Sequence, residues 1–235
     1  MSEAPVSLSF FDPSRRLHGI ARAGLTLLFR GANPSAVGGA PEIDTRGETY
    51  RAELEDRLQL EFEPVSDIAQ LAGSRVRVCQ VSGTVDGVPI NCLGTAAETV
   101  SPPEWDGLDA LRAVSALFDR GHAVLAVARR PRGALGHGHE LVSAVLVADG
   151  ELRAVEDARL STVYDGDGRQ RSAGMELWLP GEDFPRRASG ALTGGTTLEL
   201  PGLRVNASIF AWRMEGREGV GAYELTVRGE PPEAA

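Results

Sequence analysis

The segment Gly136-His137-Gly138-His139-Glu140 places two imidazoles and a carboxylate side by side. In an extended backbone side chains repeat every second residue, so His137 and His139 are expected on one face, next to Glu140. Such a pair opens two chemistries. Metal ligation asks for further imidazole or thiolate ligands in range. Only His18 and His122 remain and no histidine follows His139, so no metal is assigned. Acid–base work asks only for a group that titrates near neutral pH, which imidazole does. A polar strand entry without chemistry is the plain alternative. A second carboxylate, Glu176, lies two residues from Trp178. Buried beside an aromatic it would hold its proton more tightly and deliver it; an ion pair with a cross-strand arginine is the ordinary alternative. The candidate catalytic residues are therefore His137, His139, Glu140 and Glu176. Arg112 and Tyr164 would assist at a substrate oxygen if they face inward. Trp178, Phe210 and Trp212 would wall an apolar ligand, or equally fill a core. Asp165 and Asp167 have calcium-like spacing, but no carboxylate follows at the twelfth position, so the segment reads as a β-turn.

Other chemistries are excluded by what the chain lacks. All 24 basic residues are arginine; without lysine there is no Schiff base, P-loop lysine or lysine general base. No Gly-x-Ser-x-Gly elbow, Walker motif or dinucleotide fingerprint is present, which directs attention to cofactor-free chemistry or simple binding. Cys79 and Cys92 flank the Asp86-Gly87 turn and are too few for a zinc site. They read as small buried residues.

The elements that must position these groups are strands. Residues 6–11 alternate and end at Asp12-Pro13, and residues 20–29 form one apolar run closed by Arg30-Gly31. Residues 31–47 are rich in Gly, Pro, Asn and Ser and read as a loop. Tyr50, Ala52 and Leu54 share a phase with Leu58, Leu60 and Phe62, and Pro64 stops the run. Asp86-Gly87 is the turn of a hairpin. Residues 108–118 fit a helix or a strand; the Asp119-Arg120-Gly121 turn and the return at 123–128 decide for a hairpin. Further strands are expected at 140–147, 151–164, 169–179 and 188–200, and at 203–214 and 221–227 across a turn at 215–219. No internal repeat is evident. Turn signals recurring about every 10–14 residues predict an all-β meander curling into barrel-like lobes around an apolar cavity. The boundary falls at Ser101-Pro102-Pro103, giving an N-terminal lobe over 6–100 and a C-terminal lobe over 108–229.

A formal net charge of −9 argues against phosphate-backbone binding, and no apolar run is long enough to span a membrane. The first residues lack the charged-then-apolar pattern of a secretion signal. The expected setting is cytoplasmic, with a hydrophobic small molecule as partner, no nucleic acid and no cofactor. Oligomeric state is not legible.

Four stretches taken together resemble the lipocalin-like carotenoid hydratase superfamily, a group that includes hydroxyneurosporene synthase and the lipocalin-like cyclases. They are Gly83-Thr84-Val85-Asp86-Gly87, the 136–140 segment, the 161–171 turn, and the run from Ala211-Trp212-Arg213-Met214 to Gly221. The resemblance spans residues 75–228. It implies two lipocalin-like lobes and cofactor-free hydration, cyclisation or isomerisation of an isoprenoid- or polyketide-like substrate. Many relatives carry an Arg-Asp-His-Ser-Trp-Gly-like segment after the hairpin, where this chain has Leu93-Gly94-Thr95-Ala96-Ala97-Glu98. The leading expectation is such an enzyme. A non-catalytic carrier or sensor of a hydrophobic small molecule is the alternative, followed by a scaffold with a filled core.

Overall fold

Apolar alternation, cut by residues that accept a positive φ, divides the chain into strands. The computed structural model describes residues 4–22, 24–37, 39 and 41–229, with only the backbone of His137. The first half holds β1 (Val6–Asp12), β2 (Leu17–Arg22), β3 (Leu25–Arg30), β4 (Asn33–Val37), β5 (Glu42–Arg46), β6 (Thr49–Leu54), β7 (Leu58–Pro64), β8 (Ala69–Leu71), β9 (Ser74–Val85) and β10 (Val88–Thr99). The second holds β11 (Leu108–Asp119), β12 (His122–Pro131), β13 (Leu141–Ala148), β14 (Glu151–Ala154), β15 (Asp157–Tyr164), β16 (Gln170–Trp178), β17 (Arg186–Leu200), β18 (Leu203–Met214) and β19 (Arg217–Arg228). Short 3-10 turns at Trp105–Gly107 and His137–His139 are the only helical pieces among the described residues, and neither is long enough to cross a membrane.

Two sheets result, in the order β4-β3-β2-β1-β10-β9-β7-β6-β5 with β8 added beside β9, and β14-β13-β12-β11-β19-β18-β17-β16-β15. Both curl, and connectivity alone requires it. β14 and β15 stand at opposite ends of the second sheet, about 38 Å apart if it were flat. Yet the two residues between them let the chain reach only about 11 Å. β4 and β5 make the same demand on the first sheet, with four residues between them. Each sheet therefore bends until its ends approach, the lipocalin-like antiparallel architecture expected for an all-β chain. By packing the chain forms two compact units. One takes the residues up to Pro102 with Leu117–Ala123 and Val147–Leu152; the other takes Pro103–Ala116, Val124–Leu146 and the remainder from Arg153.

In the first sheet the alternation becomes a core. Tyr50, Ala52 and Leu54 face Phe62, Leu60 and Leu58 across the β6–β7 pair, and Leu8, Phe10, Val81 and Ile90 join them. Cys79 and Cys92 are buried and unbridged. The Asp86-Gly87 hairpin forms, with φ of 47° and 74° at its turn and Val85 opposite Val88. Residues 108–118 are indeed strand.

Four expectations are corrected. Residues 20–29 are two strands that turn at Gly24 (φ 81°), with Arg22 opposite Leu25. β2 is buried along most of its length, so no alternation marks the break. The 31–47 loop contains β4 and β5; these are exposed edge strands, which need no apolar face and tolerate Pro34. Residues 151–164 break between Ala154 and Asp157, where the chain passes from one edge of the sheet to the other. The last turn is only Glu215-Gly216 (φ 50° and 78°), with Met214 opposite Arg217.

Candidate active site

Arg112 lies on β11 between Ala110 and Val114, on a buried apolar strand face, and its side chain is 1% exposed. A guanidinium is tolerated in such a place only if its donors are met. Nη1 donates to Thr162 Oγ1 at 2.9 Å and to the Tyr223 hydroxyl at 3.1 Å. Nη2 donates to Glu140 Oε2 and to the Leu160 carbonyl, the latter at 3.0 Å. Four of the five N–H groups are thus engaged, while Nε is buried with no hydrogen-bond partner.

Glu140 follows the 3-10 turn and enters β13, and its carboxylate is as buried as Arg112. Its other oxygen, Oε1, accepts from Arg130 Nε at 3.0 Å and Nη2 at 2.8 Å. One carboxylate thus serves two guanidiniums. Thr162 and Tyr223 close the cluster with hydroxyl oxygens 2.6 Å apart. Burial raises the Tyr223 pKa; the Arg112 charge and the Thr162 hydroxyl pull the other way, and Tyr164 adds to the rise. The phenol is therefore protonated at neutral pH.

Arg112 is itself evidence of curvature. It sits on β11 yet bonds to two residues of β15, five places along the sheet. Register shows which side chains share its face. Thr162 stands opposite Ala173, Ala173 opposite Gly190, and Gly190 opposite Trp212. Ser208 stands opposite Tyr223. Thr162, Trp212, Phe210 and Tyr223 therefore line one surface. Phe210 stacks on Trp212 with ring centroids 5.5 Å apart and tilts against Tyr223 at 5.4 Å. The Trp212 indole lies over Gly190, where an added Cβ would come within 2.6 Å of the ring.

The candidates named from sequence are thus divided. Arg112 and Glu140 meet directly, Tyr164 lies within electrostatic range of Tyr223, and Phe210 and Trp212 form an aromatic wall beside that tyrosine. The histidine pair does not take the extended form that would align it. Residues 137–139 make a 3-10 turn closed by His139 N donating to the Gly136 carbonyl at 3.2 Å. His139 is exposed, and the His137 side chain lies outside the described residues. Glu176 and Trp178 alternate with the buried Ala173, Met175 and Leu177 and so point to the other face of β16. There Glu176 accepts from Arg187 Nε at 3.0 Å, and Arg159 covers the Trp178 ring at 4.9 Å.

Three members of the cluster were missed: Arg130, Thr162 and Tyr223. Tyr223 alternates with Gly221 and Leu225 on a face that reads as ordinary core, and only the β18–β19 register sets it opposite Ser208. Among the described residues no three His, Cys, Asp or Glu side chains gather as metal ligands. The Asp165 carboxylate is taken up by its turn, accepting from the amides of Asp167 and Arg169.

No family model and no curated protein matches the chain. Solved structures do. CghA matches with a TM-score of 0.62 at 10% identity, over 99% of this chain and 90% of that one. CghA with Sch210972 matches at 0.61 and 11%, over 97% and 89%. Kievitone hydratase from Nectria haematococca matches at 0.58 and 10%, over 97% and 89%. Across almost its whole length, then, the chain has the lipocalin-like fold of CghA and kievitone hydratase.

Proposed function

We propose that the protein is a cofactor-independent cyclase, hydratase or isomerase acting on an apolar isoprenoid- or polyketide-like intermediate, with the Arg112–Glu140–Tyr223 cluster at its reacting centre. The observation that carries this reading is the buried Arg112–Glu140 pair. Desolvating two such charges costs several kcal/mol, and apolar residues of similar volume usually serve stability as well or better. A β-sheet core has no structural need of such a pair, whereas a site that must polarise an oxygen and move a proton does.

The division of labour follows from the chemistry of each group. Arg112 and the Tyr223 hydroxyl would polarise a substrate oxygen, and the protonated phenol would donate. Glu140 would receive a proton, its acceptor oxygens fixed by two arginines. Phe210 and Trp212 would hold the apolar body in a reactive conformation, lowering the entropy of activation. The names of the structural neighbours support the reading: one is a hydratase, and the other was solved with a bound small molecule.

The test is native mass spectrometry of the protein from its own host, with extraction and identification of any bound molecule. That molecule is then incubated with the wild type and with Tyr223→Phe. Conversion to an isomer, hydrate or ring-closed product, slowed at least about 100-fold in the variant, is the expected result. A molecule that binds and returns unchanged would make the protein a carrier or sensor. An empty protein would remove the ligand-binding reading altogether.

A further inference from the structure

We infer that the ligand of the β11–β19 sheet is an apolar molecule ending in an oxyanion, a carboxylate or enolate, which docks on Arg112. The inference rests on the preceding reading of this sheet as a ligand site and adds the chemical class of the ligand's head. Its ground is a donor count. Protein acceptors take four of the five N–H groups of Arg112, and the fifth, on Nε, has none although the side chain is 1% exposed. A buried donor on a charged group left unmet is expensive, and an anionic oxygen is the acceptor that repays a cation best. Charge points the same way, because Arg112 does not own a carboxylate: Glu140 divides its oxygens between Arg112 and Arg130. The nearby hydroxyls of Thr162 and Tyr223 are neutral. An oxyanion meets the open Nε–H of Arg112 with a charge-assisted hydrogen bond, and a neutral alcohol meets it with a weaker one. The rest of the ligand is apolar because the same face carries Leu160, Met175, Phe210 and Trp212.

The experiment compares straight-chain carboxylic acids with primary alcohols of equal length, from eight to fourteen carbons. Binding is followed calorimetrically on the full-length protein at low salt and at about 0.5 M salt, where exposed charges are screened but buried ones are not. At matched length the acid binds at least about tenfold more tightly than the alcohol, at both salt concentrations. Glu140→Gln removes the competing carboxylate, so the ratio of acid to alcohol affinity rises. A merely structural ion pair predicts a loss of both ligands with that ratio unmoved. Arg112→Met abolishes the preference for the acid; should that variant fail to fold, Arg130→Gln, at a more exposed position, reduces the preference instead. Equal affinity for acid and alcohol throughout the series would overturn the oxyanion head while leaving a ligand site in place. If neither class binds at any length, the inference and the ligand site fall together.

Discussion

Truncating Arg112 leaves a carboxylate, two hydroxyls and a carbonyl without their shared donor. Arg112→Met should therefore cost about 3 kcal/mol in urea unfolding. The double variant Arg112→Met/Glu140→Leu should recover part of that loss, because it also removes the buried carboxylate oxygen that Arg112→Met leaves without its donor. Strict additivity of the two single substitutions would show that the pair is not coupled. A second buried base stands in the other sheet. His18 on β2 lies near Phe11, and burial draws its pKa down to about 4; Asp12 opposes that fall and Arg16 adds to it. A depressed histidine is bound neutral in the folded state, so its contribution is complete above the unfolded pKa near 6.5 and is lost as pH falls from there towards 4. The loss is about 3 kcal/mol at most. His18→Leu should flatten the stability–pH curve across that window, measured by urea midpoints at several pH values, and an unchanged slope would exclude His18 as its source.

At the level of strands, the seam that joins the first strand of each sheet to its last is the most exacting contact. A Cβ on Gly94 of β10 would overlap the Ser9 carbonyl oxygen of β1, and one on Gly221 of β19 would overlap the Ser115 carbonyl oxygen of β11. Backbone cannot withdraw as a side chain can. Gly94→Ala and Gly221→Ala should each cost about 3 kcal/mol, read as a fall in urea midpoint, whereas Gly107→Ala, with open space at its Cβ, should not. These strands also show what sequence reveals. β6 and β7 were legible because one of their faces is wet, and the β9–β10 hairpin because Asp86-Gly87 supplies two left-handed residues. The β2–β3 turn was hidden because both faces are buried and the alternating signal vanishes. β4 and β5 were hidden because edges carry no apolar face. The site was half legible for the same reason. Arg112 is a single charge within Ala110, Val114 and Ala116, and so draws notice. Tyr223 and Thr162 gain meaning only from a curl that brings β15 to β11. Glu176 drew notice beside Trp178, but strand parity turns both to the opposite face.

At the scale of the molecule the two sheets have one winding. Setting aside β8, which lies off the main path, and numbering strands afresh within each half, both read 4-3-2-1-9-8-7-6-5. No periodicity in the sequence betrays this, since the turns and apolar phases that produce it are met by different residues in each half. In both halves a tight hairpin, at Asp86-Gly87 or Glu215-Gly216, delivers the last strand back to the first, and a glycine there accommodates a serine carbonyl. The correspondence thus extends from the strand order down to the contact at the seam. Counted from the seam, Arg112 lies three residues before Ser115 and Tyr223 two after Gly221; the same steps from Ser9 and Gly94 arrive at Val6 and Ala96. One winding thus serves two different interiors, the first half carrying hydrocarbon where the second carries a cation and a phenol.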